Sequence, residues 1–264
     1  MLRWMLLMAL PVLPALGSTK LVVTVIEQKS GKPVTDLKAA EFTVLDDRTP
    51  RQVEDAQFAP SAIDVMLLLD TSSVGATVRP LVDDLIGQLQ AKEEMAIVSF
   101  HSAADLIQDF TSSHDILKRA VAGVKYGNEP HVLDALYAAI DGGFENATFR
   151  RVLIVLTTGL EGDSRMNDKE VLRLARRNAV SIYPVYLVGA ERSLFETLAR
   201  QTGGASFSLR DMHKSMSGPP GARIFEVLRS HYDLTLGSNL SLGEKLRVEI
   251  QRPGKFLVSA LPLE

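Results

Sequence analysis

The sequence predicts an α/β protein: a doubly wound, mostly parallel sheet inserted between β segments from the two chain ends. Three observations carry this. Strand-like and helix-like segments alternate from residue 63 to residue 210, as βα units require. Strand segments in that stretch, such as Ile63 to Leu69, are nearly continuous apolar runs, the mark of strands covered on both faces. The flanking stretches are dominated by strand and turn signals.

The elements follow in order. Leu21 to Ile26 is rich in β-formers, and Ser30-Gly31-Lys32-Pro33 is a turn signal. A second strand is predicted over Phe42 to Leu45 and a third near Val53 to Phe58. Ile63 to Leu69 opens the α/β region. Leu81, Leu85 and Leu89 recur every four residues behind Pro80, which suits the first turn of a helix. Met95 to Phe100 is the next strand, and helices are predicted over 112–123 and 132–144. Val152 to Leu156 is a strand, and Asn167-x-x-Glu170 is a capping box for a helix through Ala179. Ser181 to Val188 is a strand in which Pro184 cannot donate to a ladder, so it is expected at a sheet edge or on the unpaired side. Ser193-x-x-Glu196 is expected to cap a further helix, with a last strand over 205–209. Right-handed crossovers make such a sheet doubly wound.

Met212 to Gly221 is rich in Ser, Gly and Pro and reads as a linker. A short helix over 222–230 and strands over 232–236, 245–251 and 256–261 follow. The terminal β segments, roughly 40 and 30 residues, are each too small to bury a core alone. They are expected to share one small β-sandwich. The expected division is an export signal over 1–17, an N-terminal β segment over 18–60, the α/β domain over 61–210, a linker over 211–221, and a C-terminal helix and β segment over 222–264 packing with 18–60.

Composition excludes several functions. The 264 residues carry a net charge of −3, so no basic excess marks a nucleic-acid partner. The chain has no cysteine, which removes disulfides, thiolate metal sites and cysteine nucleophiles. Arg3, the apolar stretch Met5 to Leu16, and the small residues Ala15 and Gly17 read as an export signal cleaved before Ser18. That stretch is shorter than the about 20 apolar residues of a membrane span and is broken by Pro11 and Pro14. The mature chain is therefore expected in the periplasm or outside the cell, with no transmembrane segment after cleavage.

Val65-Met66-Leu67-Leu68-Leu69-Asp70-Thr71-Ser72-Ser73 resembles the first strand and metal-binding loop of von Willebrand factor A domains, which carry Asp-x-Ser-x-Ser there. Leu133-Asp134-Ala135-Leu136-Tyr137 resembles that family's Leu-Tyr-Asp-Ala-Leu helix start, and Val152 to Gly159 its strand ending in Leu-Thr-Asp-Gly. Gly31 to Leu37, Glu41 to Val44 and Leu228 to Leu234 are similar to the exported bacterial subgroup called VWFA-related proteins. The resemblance spans about 20 to 255.

It implies a divalent cation held by an aspartate and two serines of the first loop, a threonine of a second loop and an aspartate of a third, completed by an acidic partner group. Asp70 and Ser72 match. The second serine position is Val74, the threonine position falls at about Pro130, and the late aspartate is Thr158. Two of five ligands remain, with one carboxylate. Magnesium demands an octahedral cage of oxygens, so no cofactor is expected, and any divalent cation would be held loosely. A rearranged metal-dependent adhesion site stays open as an alternative, including a softer zinc site from Asp70, His131 and Glu161.

The function expected from these residues is that of a non-catalytic protein–protein interaction module with a degenerate metal site. Its partner, a protein, would meet loops 70–79, 101–105, 126–131 and 157–166 at the carboxyl end of the sheet, where open α/β sheets bind ligands. Ser73, His131, Thr158 and Glu161 belong to this interaction face. A hydrolase using Asp70 is the other alternative. Phosphatases with a strand-end aspartate need a second carboxylate two residues on, and Ser72 stands there. No Gly-x-Ser-x-Gly elbow or Gly-Lys-Ser phosphate loop occurs.

Overall fold

The structure, a computed structural model, describes residues 18–215, 218–237, 242 and 245–263. The export signal expected over 1–17 falls on residues outside those described. Four strands open the chain: β1 (Thr19–Glu27), β2 (Phe42–Asp46), β3 (Thr49–Arg51) and β4 (Val53–Phe58). The α/β region runs through β5 (Ile63–Asp70), α1 (Pro80–Ile86), β6 (Glu94–Phe100), β7 (Ala104–Thr111), α2 (His114–Ala122), α3 (Val132–Ile140) and β8 (Arg150–Thr157). It continues through α4 (Asp168–Arg177), β9 (Ser181–Tyr186), α5 (Arg192–Gln201), β10 (Phe207–Ser208), α6 (Leu209–Ser215) and α7 (Pro220–Arg229). The chain ends on β11 (Tyr232–Leu236), β12 (Leu246–Ile250) and β13 (Phe256–Leu263).

The central sheet has the order β10-β9-β8-β5-β6-β7 and is parallel except at β7. All eight residues of β5 are buried, which is why its sequence is apolar without alternation. The strand still sorts its side chains by parity. Val65, Leu67 and Leu69 pack with α1, α2 and α7, while Met66 and Leu68 pack with α3, α4 and α5. Helices on both faces make the sheet doubly wound, as its sequence requires.

Details depart from expectation. β7 has no counterpart in the sequence reading: it is a half-buried, antiparallel edge strand with two register shifts, so its apolar residues never alternate cleanly. The expected Ser193 cap is not made. α5 starts two residues earlier, after Glu191, with no side-chain cap, and an Arg192–Glu196 ion pair of 2.7 Å spans its first turn. Residues 209–215, where the linker was to begin, are the helix α6, which packs Leu209 and Met212 on the core. α7 joins the α/β core through Ile224, Phe225, Val227 and Leu228 rather than the terminal β unit. Pro184 sits in the interior strand β9, just before Val185 and Tyr186, where the short pairing with β10 begins. Ile182, of the same parity, donates its N–H to Thr202 Oγ1 at 3.0 Å, away from β8; Pro184 has no donor to lose there.

The N- and C-terminal strands form two antiparallel sheets, β13-β1-β11-β4 and β12-β2-β3. Their facing sides bury Leu21, Val23, Val25, Phe42, Val44, Leu234 and Val248 around Tyr232. Phe42 and Phe58 meet the Tyr232 ring edge-on at 5.2 and 5.4 Å, and its hydroxyl accepts from Leu37 N at 2.9 Å. The outer face of β1 sits on the α/β unit, where Thr24 Oγ1 donates to Gly203 O at 2.8 Å.

His231 lies at the junction and is 5% exposed. Burial, reinforced by the positive charge of Arg150 and opposed by the Arg229 carbonyl, pushes its pKa down to about 3. The folded protein therefore holds it neutral, whereas the unfolded chain takes up a proton near pH 6.5. Stability is unaffected by this group above pH 6.5 and is lost as pH falls from there toward 3, with a limiting slope of roughly 1.4 kcal/mol per pH unit. His231→Gln should show a shallower loss than the parent between about pH 6.5 and 5 in urea unfolding. Parallel curves would refute this assignment.

Candidate functional site at the carboxyl end of the sheet

β5, β6, β8 and β9 all deliver their carboxyl ends to one edge, and backbone hydrogen bonds tie the loops there together. Thr71 N donates to Phe100 O, Gly127 N to Thr71 O, and Ser73 N to Asn128 O, at 2.7, 2.9 and 3.0 Å. His131 N donates to His101 O, Gly162 N to Pro130 O, and Val188 N to Thr158 O. Four loops predicted from the sequence thus meet, joined by the 187–191 loop after β9.

Asp70 is fully buried at the centre. Its Oδ1 accepts from Ser72 N at 2.9 Å; its Oδ2 accepts from Thr157 Oγ1, Thr158 N and Thr158 Oγ1 at 3.0, 3.0 and 3.1 Å. The protein itself supplies four donors to this carboxylate. Ser72 Oγ is buried without a hydrogen-bond partner. The loop can turn over Asp70 because position 75 is glycine: a Cβ there would stand 2.3 Å from the Asp70 carbonyl oxygen. Gly159 is equally constrained, with φ +97° and a Cβ position 1.9 Å from Val188 O. These glycines close two of the loops against the strand ends.

Of the sequence-predicted site residues, Asp70, Ser72 and Thr158 come together and Ser73 is exposed beside them. His131 and Glu161 form a second group at the start of α3. Glu161 Oε2 accepts from Val132 N at 2.9 Å, while Oε1 is buried without a partner. Burial raises the Glu161 pKa above the usual carboxylate range, against the pull of the Ser164 hydroxyl and the Val132 and Leu133 amides. His131 Nδ1 is 3.8 Å from Asp134 Oδ2, and Asp134 Oδ1 accepts from Arg165 N and Met166 N at 2.8 Å each. Reciprocal carboxylates thus latch the 157–166 loop to α3. Asp70, His131 and Glu161 do not converge: among the described residues no three His, Cys, Asp or Glu side chains are placed to hold a metal ion.

The sequence reading did not single out Thr157 or Asp134, nor an apolar rim. Val74, Tyr126, Leu160 and Val188 are 37–47% exposed and account for four of the eight exposed large hydrophobic residues among those described. All four stand on these interlocked loops. Each is isolated in sequence, so no periodicity marks them.

Val74 and Pro130 offer no side-chain oxygen, Thr158 donates its hydroxyl to Asp70, and Asp70 is the carboxylate at this centre, whereas magnesium takes an octahedral set of oxygens.

The family profile of the von Willebrand factor type A domain matches residues 64–217. Among solved structures, proximal thread matrix protein 1 from the mussel byssus matches with a TM-score of 0.55 at 16% identity, over 70% of this chain and 50% of that one. The same mussel protein with a zinc-occupied MIDAS motif gives 0.55 at 14%, again over 70% and 50%. An aerotolerance-related membrane protein from Bacteroides fragilis gives 0.47 at 12%, over 64% of this chain and 98% of that one. The chain spans about half the length of the mussel protein. A search of curated proteins gave no match. With the matched profile covering more than half of its residues, the chain belongs to the von Willebrand factor type A domain family, a family of protein-interaction modules.

Proposed function

We propose that this chain is an exported, non-catalytic protein-binding module that engages its partner through the carboxyl-end loops without a tightly held cation. The carrying observation is the pairing of Asp70 with four protein donors inside a rim of Val74, Tyr126, Leu160 and Val188. Where the resembling family places oxygen ligands, this chain has Val74, Pro130 and Thr158. The face has apolar area to bury against a protein. No described helix is long and apolar enough to cross a membrane, and the export signal read at 1–17 supports an extracytoplasmic site.

The test is thermal unfolding with and without magnesium. A ligand at 100 times its Kd that binds only the folded state adds about 2.7 kcal/mol, a shift of several degrees. The unmodified protein should show none. Val74→Ser, Pro130→Thr and Thr158→Asp together should create a magnesium-dependent shift by restoring oxygen ligands. A clear shift in the unmodified protein would sink the metal-independent reading.

A further inference from the structure

The opposite edge of the sheet holds a cavity of about 320 Å³ between the α/β unit and the terminal sandwich. It is lined by Ser61, by Arg150 and Arg151 at the start of β8, by Ser181, and by His231 and Asp233 leading into β11. Three polar atoms on these residues are buried with no hydrogen-bond partner: Ser61 Oγ, Arg150 Nε and His231 Nδ1. Buried polar atoms without partners are costly, and three of them around one cavity could be satisfied by a polar guest. Arg150 bonds only neutral groups: Ser181 Oγ at 3.2 Å, Tyr183 Oη at 3.4 Å and the Leu228 carbonyl. Arg151 donates to Asn178 O at 2.9 Å. No carboxylate lies within ion-pair distance of either arginine among the described ion pairs.

We propose that this cavity binds a small oxyanion, a carboxylate or a phosphate, with Arg150 as its counter-charge and Ser61 and His231 as hydrogen-bond donors. His231 Nε2 already faces Asp233 Oδ1 at 3.5 Å. With an anion beside Nδ1, the imidazolium has an acceptor on each nitrogen, so binding takes up a proton. The groups facing His231 are Arg150 and Asp233, the Arg229 carbonyl, and more distantly Lys20, which acts on Asp233. Burial disfavours the imidazolium most and the Arg150 charge adds to it; an anion beside the ring offsets the Arg150 charge and gives the imidazolium a counter-charge. Affinity therefore rises as pH falls. Because the cavity joins the two units, occupancy would bias how the sandwich seats on the α/β core.

The experiment is thermal unfolding of the full chain in phosphate, in acetate and in chloride at matched ionic strength, with ¹⁵N detection of the His231 ring. The expected result is a saturable rise of several degrees in phosphate or acetate over chloride, larger near about pH 6 than about pH 8, with Nδ1 becoming protonated. The arm that responds identifies the oxyanion. Arg150→Gln should abolish the effect, and Ser61→Ala, which leaves the charge in place, should weaken it several-fold should the arginine variant not fold. Equal melting in all three salts with an unchanged ring signal, or an undiminished shift in Ser61→Ala and Arg150→Gln, would overturn the proposal.

Discussion

Asp70→Ala should lower folding stability by about 3–5 kcal/mol, equally in chelator and in magnesium. The four donors on its carboxylate decide the magnitude. Ser72 N and Thr158 N are backbone groups of fully or nearly fully buried residues, and each has nowhere to turn when the acceptor is removed. A buried donor stranded this way costs about 1–3 kcal/mol. The hydroxyls of Thr157 and Thr158 rotate and lose less; Thr157 Oγ1 also accepts from Gly159 N at 3.1 Å. Asp70→Asn should not rescue, because each carboxylate oxygen faces a backbone N–H, so the amide nitrogen confronts a donor in either orientation. The metal-ligand reading makes the opposite forecast. A carboxylate retained for a cation is satisfied only when the cation binds, so its removal in chelator should cost almost nothing. Urea unfolding of the parent and both variants, in chelator and in magnesium, separates the two. A loss below about 1 kcal/mol in chelator would count against a structural role for Asp70.

This dependence explains why part of the site was legible in the sequence and part was not. The run ending in Asp70-Thr71-Ser72, and the later Thr157-Thr158-Gly159, could be placed at strand ends because buried parallel strands are apolar throughout. The fold followed from the same patterning, with capping at Asn167 matching the structure in both directions, Glu170 N to Asn167 Oδ1 at 3.1 Å and Asn167 N to Glu170 Oε2 at 2.9 Å. What joins Asp70 to Thr158 is a contact across 88 positions. It is set by the register of β5 on β8, Leu69 opposite Leu156, which no local pattern encodes. The apolar rim escaped for a related reason: residues 74, 126, 160 and 188 come to the same end of the sheet only after the loops fold. β7 was missed because its register shifts break the alternation of its side chains, and α6 because a helix of seven residues carries little periodicity. The Ser193 cap failed because the first turn of α5 is held by the Arg192–Glu196 pair instead.

The pair Glu93–Arg229 should rival Asp70 in effect. Arg229 Nε and a terminal nitrogen meet the two Glu93 oxygens at 2.8 and 2.6 Å, and that terminal nitrogen also donates to Gln88 O at 2.7 Å. The guanidinium lies 4.9 Å over the Phe225 ring. The Glu93 side chain is 1% exposed and that of Arg229 19%. Breaking a buried pair from one side leaves an uncompensated charge, which costs about 3–5 kcal/mol. The asymmetry of burial predicts an order. Arg229→Met keeps contact with Phe225 but strands the more deeply buried charge, so it should lose more than Glu93→Gln, whose orphaned guanidinium still reaches Gln88 O and solvent. Glu93→Gln with Arg229→Met should recover part of the loss, and the difference from additivity measures the coupling. The consequence extends to the terminal sandwich. Arg229 closes α7 just before β11, and Ser61 N donates to Arg229 O at 3.4 Å while Ala59 N donates to His231 O at 2.9 Å. The chain thus enters and leaves the α/β core at one anchored point. Loosening it should speed amide exchange in β4 and β11 ahead of the central strands β5 and β8. Uniform exchange across both units, with single-variant losses under about 1 kcal/mol, would show that the pair anchors nothing.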